Sequence, residues 1–460
     1  MDTRIARPFC VDAEVEALYR ELNELLQKSR ERAKSDLQQF KLEAARNHLM
    51  YGGCALSVAF YPLILTGTQT RLISTAVEKT LGLIEKATSL FLAERSVREF
   101  FGFRPEQIEL IEVDPGYPLS IPCARFDSVF DGRTLRFTEL NTDGTSGMNG
   151  AEKIARIFLA APMMREFFST RPMQTFDINH RVLQALLECY RSFVARKAPE
   201  APRIAVVDWK EARTFEEFIA FAEFCCANGH EAVVADPREL EYDGHALSHR
   251  GMKIDIVYRR VISFEYVSRL RDVKAMTRAF KDHNVCVVGS FRSDVGFNKK
   301  TFAVLHDPRF AHFFTDAERK LAHEHVPWTQ QFADTACEYR GRRVNMAELA
   351  RDEKDNFVLK PANLYEGRGV RLGIQTSRDE WEKLIPGALK NDYVLQELIP
   401  AATMGIGTWN DEVRIQTRFV HLGEYLFGGK FSGFYCRATE KPAIGGESGE
   451  HLVPCLVSPK

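Results

Sequence analysis

A mixed α/β fold is predicted for this 460-residue chain by three features of its sequence. Apolar residues recur at three- and four-residue spacing from Val11 to about Arg46 and from Leu72 to Phe101, which marks 1–110 as a helical region. After Pro115 and Pro118 the period changes to two through CARFDSVF and TLRFTELN, with Asp131-Gly132 between them, a hairpin signal. Together with a helix-patterned stretch, 151–196, this hairpin makes up a segment 111–200. Next, RIAVVDW (203–209), EAVVAD, IDIVYRR and VCVVGS read as buried strands, with a helix from Phe215 to Asn228. That alternation predicts a Rossmann-like unit over 201–295, and without a GxGxxG it offers nothing to a dinucleotide. The remainder, 296–460, alternates again: NFVLKP, a glycine loop, VRLGI, a helix near Arg378 to Leu389, DYVLQELI, VRIQTRFV and EYLFGGKF.

Composition narrows the function classes. With 45% hydrophobic and 27% charged residues, the chain can bury two or three subdomain cores. A net charge of -1, with both signs dispersed, argues against a nucleic-acid backbone or an anionic membrane as partner. The first residues lack a secretory signal, and the longest mostly apolar run, Cys54 to Thr66, is too short to span a bilayer, so a cytoplasmic protein is expected. Ten cysteines without a CxxC pair read as reduced, buried small hydrophobes, and His323-Glu324-His325 lacks the HExxH spacing of a zinc site.

The hairpin carries Arg125, Asp127, Glu139 and Asn141, and its register decides what they can do. A two-residue turn at Asp131-Gly132 pairs Phe130 with Arg133 and sends Asp127 and Glu139 to opposite faces. A three-residue loop, 131–133, pairs Phe130 with Thr134, sets Arg125 opposite Glu139 and gathers all four on one face. Two carboxylates and an amide oxygen so gathered suit a hard cation such as Mg²⁺, whose shell substrate phosphates complete while the arginine meets a phosphoryl oxygen. A solvated strand face with a surface ion pair would carry the same residues.

A second motif, Leu359-Lys360-Pro361-Ala362-Asn363-Leu364-Tyr365-Glu366-Gly367-Arg368-Gly369-Val370, reads as a strand ending in lysine, a glycine loop and a return strand. Lys360 offers a point charge to phosphate oxygens, and Gly367 and Gly369 let backbone N–H groups come close. Further on, Val394-Leu395-Gln396-Glu397-Leu398-Ile399-Pro400 is an apolar strand holding one acid. Glu397 is a candidate acceptor for an adenine amino proton, with the backbone at Leu398 or Ile399 reading the ring edge. Alone, each motif is equally a β-turn or a strand end.

In combination and order these residues resemble the circularly permuted ATP-grasp family typified by glutathionylspermidine synthase. The family's R-x-D, with E-x-N twelve residues after the aspartate, falls on Arg125, Asp127, Glu139 and Asn141; its KP…EG loop on Lys360, Pro361, Glu366 and Gly367; its QEL strand on Gln396, Glu397 and Leu398. The resemblance runs from about residue 115 to the end. It implies an ATP-grasp core with a preATP-grasp subdomain, Mg²⁺ on Asp127, Glu139 and Asn141, and ATP among Lys360, Glu366, Gly367, Gly369, Gln396, Glu397, Leu398 and Ile399. Either Lys299 or Lys300 is a further ATP contact, and Arg125, Lys360 and Arg437 face the transferring phosphoryl group. Where the family continues with Asp-Thr-Pro, this chain reads Thr142-Asp143-Gly144-Thr145-Ser146-Gly147, and no residues match those that would choose glutathione or a polyamine.

The implied reaction is phosphoryl transfer from ATP to a carboxylate, then attack on the acylphosphate by an amine, releasing ADP and phosphate. Small-molecule or peptide carboxylates and amines are the expected partners. Arg259-Arg260 is a candidate anchor for a substrate carboxylate, and the 443–451 segment, AIGGESGEH, is either a loop over the site or a connector. An ATP-binding regulatory module without turnover, and a small-molecule kinase using the same clamp, are the rival readings.

Overall fold

The computed structural model describes residues 4–194, 201–409, 413–442 and 449–459; most of the AIGGESGEH segment lies outside them. The predicted first helical stretch is two helices, Ala13–Lys28 and Arg30–Arg46, divided at Ser29. A 27-residue helix, Gly67–Ala93, follows. Its start is fixed by a capping box: Thr66 Oγ1 accepts the Gln69 N–H at 3.1 Å and Gln69 Oε1 accepts the Thr66 N–H at 3.0 Å. No described helix is long and apolar enough to cross a membrane.

Two short strands break the helical region and tie it to the far end of the chain. Ala6–Pro8 pairs in parallel with Ala401–Trp409, and Leu63–Thr66 in parallel with Cys455–Ser458. Helical periodicity could not reveal strands of three and four residues. The same hydrophobic core runs from Phe9 through the hairpin and the parallel sheet to Leu456, so the helical region packs as part of the main body.

The main sheet is organised on one long strand, Val413–Phe427, predicted as two separate runs. Along one edge it pairs first with Ala401–Trp409 and then with the hairpin strand Cys123–Phe130; along the other it pairs with Lys430–Thr439. The hairpin is completed by Leu135–Asn141. A second sheet, wholly parallel, lies in the order Cys286–Val288, Ile256–Arg259, Ile204–Val207, Ala232–Ala235. Its central strands read as continuous apolar runs because both of their faces are buried.

A third, antiparallel sheet contains the lysine strand: Thr329–Gln331, Tyr393–Glu397, Phe357–Pro361 and Arg371–Leu372, in that order. This lobe has its own core, with Phe357, Trp381, Ile385 and Leu395 buried and Trp381 Nε1 donating to Ala350 O at 2.8 Å. The segment 296–460 therefore contributes to two cores. VRLGI, read as a strand, keeps that form only at Arg371–Leu372 and turns at Gly373, where a Cβ would lie 1.8 Å from Lys354 O.

The tip of the hairpin is pinned by the N-terminal segment. Cys10 N donates to Asp131 O at 2.7 Å, and Gln69 Nε2 donates to Gly132 O at 3.2 Å. Gly132 has φ of 94°, and a Cβ there would come within 2.1 Å of Cys10 O. Gly132→Ala is therefore expected to destabilise the fold by about 2 kcal/mol or more, from left-handed strain plus backbone displacement. A urea midpoint equal to that of the wild type would refute this account of the tip.

Candidate active site

The hairpin adopts neither of the two registers that its sequence offered. Phe130 pairs with Leu135, so the loop holds four residues, 131–134, closed by Asp131 Oδ1 accepting the N–H groups of Arg133 at 3.0 Å and Thr134 at 2.8 Å. A β-bulge at Thr138 then shifts the pairing, setting Asp127 opposite Glu139 and Arg125 opposite Asn141. The extra residue returns all four polar side chains to one face. Thr138 is held on both sides of its backbone: its Oγ1 donates to Asp127 O at 3.0 Å, and its carbonyl accepts Lys360 Nζ at 2.9 Å. The bulge thus joins the hairpin to the lysine strand of the smaller lobe.

Asp127 is the electrostatic centre. Arg125 donates to it through Nε at 2.7 Å and Nη2 at 3.1 Å, and Arg437 Nη2 lies 3.0 Å from Oδ2. Burial alone would raise its pKa, but the Arg125 and Arg437 guanidiniums hold it well below the usual carboxylate range. The Tyr435 ring packs against both arginines, at 5.2 and 5.1 Å from its centroid. Gly423, paired with Asp127, makes room for this arrangement: a Cβ there would sit 2.9 Å from Arg125 Cδ. The Arg437 contact is an ion pair without hydrogen-bond alignment, because its Nε and Nη2 are buried donors with no acceptor among the described residues. His421, paired with Arg437, is held neutral by burial and by that arginine, its pKa pushed down to about 3.

Lys360 is buried, which pushes its pKa down to about 8, an effect deepened by Lys299 and opposed by Glu139. At neutral pH it still carries its proton. Of the two adjacent candidates, Lys299 faces the hairpin, 3.4 Å from Glu139 Oε2, and donates to Leu364 O at 2.7 Å. Lys300 points away, donating to Phe100 O and Phe101 O at 3.2 and 2.9 Å and pairing with Asp392 at 2.5 Å. Arg125, Arg437, Lys360 and Lys299 thus outnumber Asp127 and Glu139, leaving a buried positive surplus suited to a polyanion.

These groups border a cavity of about 1580 Å³ between the lobes. Its lining includes Arg125, Asp127, Glu139, Asn141, Lys360 and Arg437, together with Glu366, Gly367, Gly369 and the Gln396–Ile399 run, but omits Lys299. Gly367 and Gly369 both take positive φ, 67° and 74°, and a Cβ on Gly369 would press on Pro361 Cγ at 2.7 Å. Glu366 binds the Tyr51 hydroxyl and accepts Arg368 Nη2 at 2.9 Å. Gln396 Nε2 donates to Thr329 Oγ1 at 3.1 Å. The Glu397 carboxylate accepts Arg340 Nη2 at 2.6 Å and the Tyr339 hydroxyl at 3.2 Å, so a purine amino group would have to share it. The Leu398 N–H is committed to Asn356 O at 2.7 Å, whereas Ile399 N–H has no partner among the described residues.

The two arginines ending IDIVYRR do not act as a surface pair. Arg259 is absent from the cavity lining: its Nε and Nη1 go to Gly289 O and Val261 O, and its Nη2 pairs with Asp143 at 2.5 Å, with both side chains fully buried. It is a core ion pair, which corrects its reading as a substrate anchor. Arg260 does line the cavity, yet it donates to Tyr258 Oη at 2.9 Å and pairs with Glu217 at 3.2 Å. Tyr435, His421, Thr138 and Glu217 were not singled out by sequence reasoning; only the alternation along Lys430–Thr439, which brings Tyr435 and Arg437 to one face, hinted at any of them.

The chain has a mixed α/β fold that it shares with a solved glutathione synthetase-like structure. Specifically, a glutathione synthetase-like effector from Globodera pallida, GSS30, solved in its apo form, aligns over 92% of this chain and 96% of its own, with TM-score 0.57 at 14% identity. A candidate gamma-glutamylcysteine synthetase from Methylobacillus flagellatus KT aligns over 81% of this chain and 85% of its own, with TM-score 0.38 at 12% identity, too slight a likeness to argue from. No protein-family model matches the sequence, and no curated protein does.

Asp127→Asn leaves two buried guanidiniums facing a neutral amide, and is expected to cost about 3 kcal/mol at pH 7. Because the folded pKa is depressed, the wild-type contribution is complete above the unfolded value of about 4 and fades as pH falls below it. The stability gap between variant and wild type should therefore be constant from pH 5 to 8 and narrow in acid. Denaturant titrations across that range that gave no gap at pH 7 would contradict the assignment.

Proposed function

We propose that this chain is an ATP- and Mg²⁺-dependent carboxylate–amine ligase of the circularly permuted ATP-grasp type, working in the cytoplasm. The observation that carries the reading is the common cavity. Hairpin oxygen donors, a lysine strand with its glycine loop, and a late arginine, distant in sequence, border one space large enough for a nucleotide and two substrates. The likeness to GSS30, a glutathione synthetase-like effector, supports a peptide-type ligation.

The residues fit a hard cation in donor chemistry. Asp127, Glu139 and Asn141 offer carboxylate and amide oxygens, and Asn141 Nδ2 is buried without a partner among the described residues, so the amide is not committed to them through its nitrogen. These three would hold Mg²⁺, with Asp127 exchanging one guanidinium contact to do so. When bound, the ion supplies charge neutralisation at the triphosphate. No group of three or more His, Cys, Asp or Glu able to hold a metal occurs among the described residues, which is in keeping with a site that takes one of its ligands from an amide and others from substrate.

In this reading Arg125, Arg437 and Lys360 balance the negative charge of the phosphoryl group as it moves to the substrate carboxylate. Gly367 and Gly369 bring backbone N–H groups to the phosphates, and Ile399 meets the base. An amine then attacks the acylphosphate, forming the amide bond and expelling phosphate. Catalysis of this kind rests on positioning and fixed charge.

Incubation with ATP, Mg²⁺ and a metabolite mixture, followed by ADP release and mass analysis, tests the reading. A condensed amide supports it; phosphorylated product without amide would make the protein a kinase, and binding without ADP release a regulatory module. Glu139→Ala is expected to lower ADP release at least about a hundredfold while leaving the circular dichroism spectrum unchanged. Full turnover in that variant would remove the metal assignment.

A further inference from the structure

The loop following the hairpin, Thr142 to Gly147, is fastened by a carboxylate that does not line the cavity. Glu217, in the first turn of the helix Phe215–Ala227, accepts the Gly147 N–H at 2.6 Å and pairs with Arg260 Nη2 at 3.2 Å. Gly147 sits at φ 91°, where a Cβ would come within 2.9 Å of the Tyr435 ring and 3.0 Å of the Tyr425 hydroxyl. Its neighbour Ser146 turns its carbonyl toward the site, accepting Arg125 Nη1 at 2.8 Å and the Tyr425 hydroxyl at 2.6 Å. Since Asp127 takes the other two nitrogens of Arg125, the Ser146 carbonyl is what sets the remaining edge of the guanidinium.

We propose that Glu217, paired with Arg260, is a positioning residue for Arg125. It fixes the plane of that guanidinium through Gly147 and Ser146, and thereby the site's preference for a triphosphate over a diphosphate. The inference rests on the ligase reading, in which Arg125 faces the terminal phosphoryl group. Arg260 leaves the end of the parallel strand Ile256–Arg259, so the parallel sheet is linked to the phosphate-facing group. A planar guanidinium with two edges engaged presents its remaining donors in one direction only, which is why a contact to the N–H of the same peptide group that supplies the Ser146 carbonyl matters to it.

The test is calorimetric titration of the full chain with ATP and with ADP, both with Mg²⁺, on wild type, Glu217→Gln, Arg125→Lys and the double variant. Glu217→Gln keeps an acceptor for the Gly147 N–H but gives up the charge that orients Arg260. ATP affinity is expected to fall about tenfold in Glu217→Gln and ADP affinity by no more than about twofold. In the Arg125→Lys background the second substitution should add no more than about twofold, since the two act as one unit. An unchanged ATP-to-ADP ratio, or independent effects in the double variant, would overturn the proposal. If Glu217→Gln does not fold, Arg260→Lys takes its place in the same cycle, because it keeps the charge and loses the forked contact. Should the wild type bind neither nucleotide, the ligase reading fails and takes this inference with it, an outcome distinct from a wild type that binds both while Glu217→Gln leaves their ratio untouched.

Discussion

The bulged carbonyl of Thr138, and the Lys360 ammonium it accepts, is the contact on which the site depends. A regular ribbon continuing the Phe130 pairing would have placed Asp127 and Glu139 out of step, with side chains on opposite faces. One extra residue restores the step, and the backbone group that a bulge leaves without a ladder partner is used to hold a lysine from the other lobe. Burying an ammonium is costly, and here the cost is met by that carbonyl and by Glu139 close by. A charge-assisted hydrogen bond thus ties the hairpin to the lysine strand, beside the Lys299–Glu139 ion pair.

Around this contact the charges form a graded set. Asp127 is saturated by two arginines, and Glu139 stands between two lysines, so the positive groups are preorganised by acids that do not cancel them. Buried donors left over on Arg437 are expensive in a closed protein and ordinary in one that receives an anion. Tyr435, whose ring lies beside both guanidiniums, and Gly423, which leaves space for one of them, explain why the strand pair Val413–Phe427 and Lys430–Thr439 carries an aromatic and a glycine at those positions.

Much of the architecture was legible where one physical rule dominates. The parallel strands appeared as apolar runs because both of their faces are covered, and the hairpin announced itself through alternation around Asp131-Gly132. The register of that hairpin was not legible, because the bulge is settled by Thr138 Oγ1 and by a lysine 222 residues away. Arg259 and Arg260 looked alike on paper, since both end a strand. Their partners, Asp143 and Glu217, come from other elements, and alternation along the strand sends the two side chains in different directions. The different directions of Lys299 and Lys300 were hidden for the same reason, since their partners are Glu139 in one case and Asp392 in the other. Strands as short as Ala6–Pro8 carry no periodicity at all, yet they stitch the beginning of the chain to its end.

The central claim is that acids from the early ribbon and the lysine of the late strand serve one bound triphosphate. It is tested most directly by a crystal structure with Mn²⁺ and a non-hydrolysable ATP analogue, with the metal located by anomalous scattering. The account predicts a metal peak within bonding distance of Asp127, Glu139 and Asn141 oxygens, and a triphosphate lying between Arg125, Arg437 and Lys360. A nucleotide seated elsewhere, or a metal peak remote from the ribbon, would contradict it.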